Sequence, residues 1–134
     1  MRDQTLTKIT ALPAAAAATA PAGVDLSVSP RTGPLDGHAQ FRITCPATPS
    51  LVDAKSITWT IQDSADNSSF AAISGVATHV TTGASSAGAA AFDVLRDIPK
   101  HTRRYVRCIA AVETGGGSNI AVSYTFSVDY HTVL

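Results

Sequence analysis

The sequence is short of charge and of rings. Charged residues make up 15% of its 134 positions and aromatic residues 6%. Ten basic side chains balance ten acidic ones, so no net field draws the chain to DNA or to an anionic membrane. Neither nucleic acid nor a membrane is expected as a partner. No apolar run approaches the ~20 residues that cross a bilayer as a helix. Much of the apolar share is alanine, so the core falls to Val, Ile and a few rings and is expected to be thin. The length fits one domain. Cysteine is scarce too. Cys45 and Cys108, each in a strand-like run, are expected to be buried, reduced thiols rather than a bridge.

Catalytic and metal signatures are equally absent. His38, His79, His101 and His131 fall in four different segments, with no pair at metal-ligand spacing, and neither HExxH nor CxxC occurs. Gly83-Ala84-Ser85-Ser86-Ala87 is one residue short of a nucleophile elbow, and a strand rather than a helix follows it. Gly115-Gly116-Gly117 likewise leads into a strand, where a phosphate loop needs a helix N-terminus. Asp63, Asp66 and Asn67 suggest calcium, but Ser68 and Ser74 stand where an EF-hand needs glycine and glutamate. An Asx-type turn explains them better. Asn67-Ser68-Ser69 is a glycosylation sequon, relevant only to a secreted chain. The expectation is no catalytic residue, no metal and no cofactor, and a protein that is not an enzyme.

What the sequence does contain is β-pattern. From Arg103 to Tyr130 two alternating runs flank Gly115-Gly116-Gly117, and this reads as a long β-hairpin. Val24–Val28 alternates and is broken by turn residues at 29–34. Phe41, Ile43 and Cys45 share one face of a strand that Pro46 ends. Ser56–Gln62 is the cleanest short strand, and Asp63–Ser69 turns the chain after it. Weaker strands are expected over 70–73, 76–81 and 89–95. Short strands at near-regular spacing, with no amphipathic helix between them, indicate an all-β fold: a small antiparallel β-sandwich, jelly-roll or Ig-like, with an extended N-terminal arm.

The arm is residues 1–23 and the sandwich domain residues 24–134. Ala14–Ala20 is about two helical turns, too short to hold itself in water, and Pro21 pushes Ala20 towards extended geometry. A signal peptide ending at Ala20-Pro21-Ala22 is the rival, opposed by Asp3 in its charged region and Pro13 in its apolar one. Leu6, Ile9 and Leu12, spaced by three, equip the arm to lie against another surface by adding to a strand edge. Removing residues 1–20 is expected to leave a folded domain. Arg96, Lys100, His101, Arg103, Arg104 and Arg107 form the one local concentration of positive charge. They are either a solvated loop or a docking patch for carboxylates, which arginine forks bind in pairs.

Four segments resemble the head decoration, or cement, proteins of tailed bacteriophages: LTKITALPAAAAATAPAGVDLS, ITWTIQDSADNSSFAAI, DIPKHTRRYVRCIAAV and GGGSNIAVSYTFSV. Together they cover most of the chain, and none is a catalytic signature. The resemblance implies a structural virion protein, made in the host cytoplasm, that binds the major capsid protein and stabilises the outside of an icosahedral capsid. Self-association is also expected, with trimers at local three-fold positions fitting shell geometry. Leu6, Ile9, Leu12, Arg103 and Arg104 are the candidate capsid-binding residues. A second resemblance is the Cys45, Trp59, Cys108 order of immunoglobulin domains, although Val106 stands where the corner tyrosine belongs. It keeps open the alternative of a secreted or cell-surface module that binds carbohydrate or protein.

Overall fold

The computed structural model describes residues 2–26 and 39–130. Ser27, Val28, the turn at 29–34, His38 and His131 lie outside them. The regular elements described are strands: β1 (Arg2–Ala11), β2 (Val24–Asp25), β3 (Ala39–Cys45), β4 (Ser56–Ser64), β5 (Ala71–Ala72), β6 (His79–Thr82), β7 (Phe92–Asp97), β8 (Tyr105–Val112) and β9 (Ser123–Tyr130). They form two antiparallel sheets. One has the order β1-β9-β3-β7; the other has β2-β8-β4, with β5 and β6 both pairing along the far side of β4. Each early strand pairs with its mirror in the later chain: β1 with β9, β2 with β8, β3 with β7, and β4 with β5 and β6. That order is the jelly roll, one of the two sandwich topologies the sequence left open.

Period-two alternation builds the core between the sheets. Ile57, Trp59 and Ile61 of β4 face Phe41, Ile43 and Cys45 of β3, and Val106, Cys108, Ala110 and Val112 of β8 face Tyr124, Phe126 and Val128 of β9; all are buried. Phe41 and Phe126 stack with ring centroids 5.7 Å apart, and Trp59 meets Phe92 edge-on at 4.7 Å. Each such side chain contributes roughly 1.5–3 kcal/mol of burial, which lets a few rings serve a core otherwise made of small aliphatics.

The glycine-rich segment does not close a hairpin. β8 belongs to one sheet and β9 to the other, so residues 113–122 carry the chain across the sandwich. Packed sheets lie about 10 Å apart, a gap that a two-residue turn does not cross and a ten-residue loop does. Alternation identified both strands correctly and said nothing about their partners.

The N-terminal segment is extended, as expected, but it is built into the sandwich. β1 forms the edge of the first sheet, and Leu6 and Leu12 are fully or almost fully buried in the core. The chain then crosses to the second sheet. The Ala16 and Thr19 amides donate to the Val112 and Ala110 carbonyls at 3.1 and 3.0 Å, and the Val112 amide donates to the Ala17 carbonyl at 3.0 Å. Residues 2–26 therefore line one side of the sandwich along both sheets. This placement argues against the expectation that removing residues 1–20 leaves the domain intact, because the deletion strips β1 and two core leucines.

Candidate functional site

The structure separates the five residues singled out in the sequence. Leu6 and Leu12 point inward; of the three apolar arm residues only Ile9 is exposed, at 67%. Arg103 is held by the buried Asp63: its amide donates to Oδ2 at 2.9 Å, and its guanidinium donates to Oδ1 at 2.7 and 3.0 Å and to the Asp63 carbonyl at 2.9 Å. Burial alone pushes the Asp63 carboxyl up, but the Arg103 side-chain and main-chain hydrogen bonds outweigh it and hold it below the ordinary range. Arg104 forms a two-bonded fork on Asp25, both at 2.9 Å, and lies over the Tyr105 ring. Arg107 sits 4.0 Å above the Phe70 ring and donates to Gln62 Oε1 at 2.9 Å. The arginines fasten their own end of the sandwich, so they do not stand as a free docking patch. Arg103 is a strut.

The opposite end carries the better candidate. There the β3–β4, β6–β7 and β8–β9 loops lock onto one another. Thr48 and Ala89 exchange main-chain bonds at 2.9 and 3.2 Å, the Val52 amide donates to Gly116 O at 3.1 Å, and the Ala54 amide donates to Gly83 O at 3.0 Å. Side chains add to this, with the Ser50 amide donating to Asn119 Oδ1 at 3.0 Å and the Ser85 amide to Asp53 Oδ1 at 3.1 Å. The fit is close enough to require glycine. A Cβ on Gly88, whose φ is +69°, lies 2.1 Å from the Thr48 carbonyl oxygen, and one on Gly117, with φ +83°, lies 2.3 Å from that of Ser50. From this fixed frame Val52 and Ile120 project, 45% and 61% exposed.

Beside the loops a groove of about 500 Å³ opens at the end of the first sheet, lined by Thr44, Pro46, Phe92, Asp93, Ser123 and Thr125 among others. Its chemistry is mainly hydroxyl and apolar, the latter including the Phe92 ring. The one carboxylate, Asp93, is paired with Arg42, which also reaches Asp129 at 3.3 Å. Those hydrogen bonds, Asp93 first, raise the Arg42 pKa further, so the guanidinium is permanently charged. No group of three His, Cys, Asp or Glu that could hold a metal occurs among the described residues. Both thiols are free and buried. Burial pushes Cys45 up to about 11 and Cys108 still higher, which leaves neither as a nucleophile near neutral pH.

Sequence reading missed the loop end because its residues come from three segments with no periodicity of their own. The signal available was punctuation: Gly83, Gly88, Gly116 and Gly117 mark close backbone approaches, but a glycine does not say what approaches it. No protein-family model matches the chain, and comparison with curated proteins also gives no match.

Proposed function

We propose that this chain is a structural protein of a tailed-phage virion, made in the host cytoplasm, that decorates the capsid exterior by binding the major capsid protein. The observation that carries the reading is the loop end, a fixed surface from which Val52 and Ile120 project. A surface that is ordered before contact loses little entropy on docking, and a shell lattice offers a partner equally fixed. The resemblance of the four sequence segments to decoration proteins supplies the identity of that partner. Two further features support it. Residues 2–26 are part of the packed fold, unlike a leader that is removed. Free thiols at Cys45 and Cys108 suit a reducing compartment.

The test is binding to shells assembled from the major capsid protein of the encoding phage, read by electron microscopy. The wild-type chain is expected to add regular density to the outer surface. Val52→Asp combined with Ile120→Asp is expected to fold normally, since Ile120 is mostly and Val52 nearly half exposed, and to lose that density. Full occupancy by the double variant removes the loop end as the contact. Absence of wild-type density on shells that are otherwise intact overturns the capsid reading itself.

A further inference from the structure

The two sheets end in strands of unequal openness. On the side away from β1, the first sheet ends at β7, whose edge is guarded. Arg96 folds across it, donating to the Leu95 carbonyl at 3.0 Å and to the Ala77 carbonyl at 3.1 Å. The second sheet ends there in β5 and β6, of two and four residues, too short and interrupted to template a partner. β1 is different. At ten residues it is the longest strand described, and although its register breaks between Arg2 and Thr7, Thr7–Ala11 is a regular run without proline, with nothing within the described residues pairing with its outer edge.

The direction of its main-chain groups follows from the register. The Leu12 amide donates to Val122 O at 2.9 Å, and Ala11 opposes Ser123, Thr10 opposes Tyr124 and Ile9 opposes Thr125. In an antiparallel pair, hydrogen-bonded and non-hydrogen-bonded positions alternate. Lys8, Thr10 and Leu12 therefore bond to β9, while the amide and carbonyl of Ile9 and Ala11 point away from the sheet. The Ile9 side chain is also the most exposed large apolar group described.

We propose that β1 pairs antiparallel with β1 of a second copy of this chain about a two-fold axis at Ile9, joining two four-stranded sheets into one of eight. A two-fold contact brings each residue against its own symmetry mate, so the register must avoid like charges. Centring on Ile9 puts Ile9 against Ile9 and exchanges both main-chain bonds between them. Lys8 then stands opposite Thr10, whereas a register centred on Lys8 opposes two ammonium groups. An edge whose outward groups meet no partner among the described residues is a template for another strand, and an identical strand meets this one with apolar contact at the axis. The pairing is two-fold by geometry, where shell symmetry alone suggested clusters of three. It concerns the chain free in solution and stands independently of the capsid reading.

The variant that isolates this contact is Ile9→Pro. Proline removes only the outward amide at this position, which an edge strand tolerates. Thr10→Pro removes a bond to β9 and serves as the folding-defective control. By sedimentation velocity the wild-type chain is expected to form a concentration-dependent dimer, and Ile9→Pro to weaken it roughly tenfold to a hundredfold, the effect of two lost hydrogen bonds. Hydrogen exchange gives a reading that needs no variant: the Ile9 and Ala11 amides are expected to be protected at high and not at low protein concentration. A wild-type monomer at all concentrations, a trimer, a dimer unaffected by Ile9→Pro, or exchange at Ile9 independent of concentration overturns the proposal.

Discussion

Thr19 and Tyr124, 105 positions apart in sequence, meet through their hydroxyls at 2.7 Å between the two sheets. The contact is one link of a chain. The Ala110 amide donates to Thr19 Oγ1 at 2.9 Å, Thr19 donates to Tyr124 Oη, and Tyr124 donates to the Cys108 carbonyl at 2.6 Å. Burial, partly offset by the Thr19 bond, pushes the Tyr124 phenol up to about 12. The N-terminal segment is thus tied to a side chain of one sheet and to the backbone of the other. Tyr124→Phe is expected to lower stability by about 1–2 kcal/mol, and Thr19→Val by a similar amount. Because both remove the same chain, the double variant is expected to cost less than the two losses combined. Urea unfolding of the four proteins of the cycle measures it; strict additivity means the hydroxyls do not act together.

The pair at the other end, Asp63 and Arg103, makes acid stability a test of the strut. Its folded carboxyl pKa lies below the free value of 3.8. The pair therefore contributes in full above that value, and the contribution fades as pH falls through the lower folded pKa. Asp63→Asn is expected to destabilise by roughly 1–3 kcal/mol at pH 7, because Arg103 is partly exposed and water screens the loss. It is also expected to flatten the loss of stability below pH 4. An unchanged acid limb in Asp63→Asn places the titrating group elsewhere.

Much of this fold was legible in the sequence, and what was not has a common cause. Phe41, Ile43 and Cys45, or Ile57, Trp59 and Ile61, declare their shared face because a strand repeats every two residues. Such a pattern fixes which side of a strand is buried and leaves its neighbour unspecified. The β8–β9 hairpin failed for that reason: either connection satisfies the same alternation. Arg103 failed differently. A cluster of arginines reads as a surface patch until the buried Asp63, forty residues earlier, is placed beside it. The loop end, drawn from three segments, had no sequence signal beyond its glycines.

Leu6 and Ile9 sit on one strand and face opposite ways. Leu6 is wholly buried and Ile9 is 67% exposed. Leu6→Ala is expected to cost about 2–5 kcal/mol through lost burial and the cavity left behind. Ile9→Ala is expected to stay within about 0.5 kcal/mol when the chain is dilute. Thermal melts of the two variants decide it. Near-equal effects place β1 somewhere other than the sheet edge.

The thiols report on the interior. Native protein is expected to react slowly with a thiol reagent at pH 8, because burial raises both pKa values well above it. Unfolded, non-reduced protein is expected to yield two thiols, those of Cys45 and Cys108. Finding none after unfolding, with a mass lower by two hydrogens, establishes a disulfide and favours the secreted reading.

His79 is placed to make the β6–β7 side of the sandwich sensitive to acid. It lies on β6 at the edge of one sheet, its ring centroid 4.2 Å from that of Phe92 on β7 of the other sheet and 6.0 Å from that of Trp59. Its buried Nε2 finds no hydrogen-bond partner. Burial first, and the positive charge of Arg96 second, lower its pKa below 6.5. The rings attract an imidazolium, but that attraction competes with desolvation and with repulsion from Arg96. A base whose folded pKa is depressed supports the fold while neutral, so its contribution is complete above the unfolded value and lost as pH falls below it. His79→Phe keeps an apolar ring in place and removes the titration. The variant is expected to match or exceed wild-type stability at pH 7 by up to ~1 kcal/mol, because an unpartnered buried nitrogen is gone. It is also expected to lose less stability than wild type as pH falls from 6.5 towards 5. An NMR titration of the His79 ring reads the cause directly, with a midpoint below 6.5 expected; a midpoint at or above that value means that the rings, rather than burial, govern the histidine.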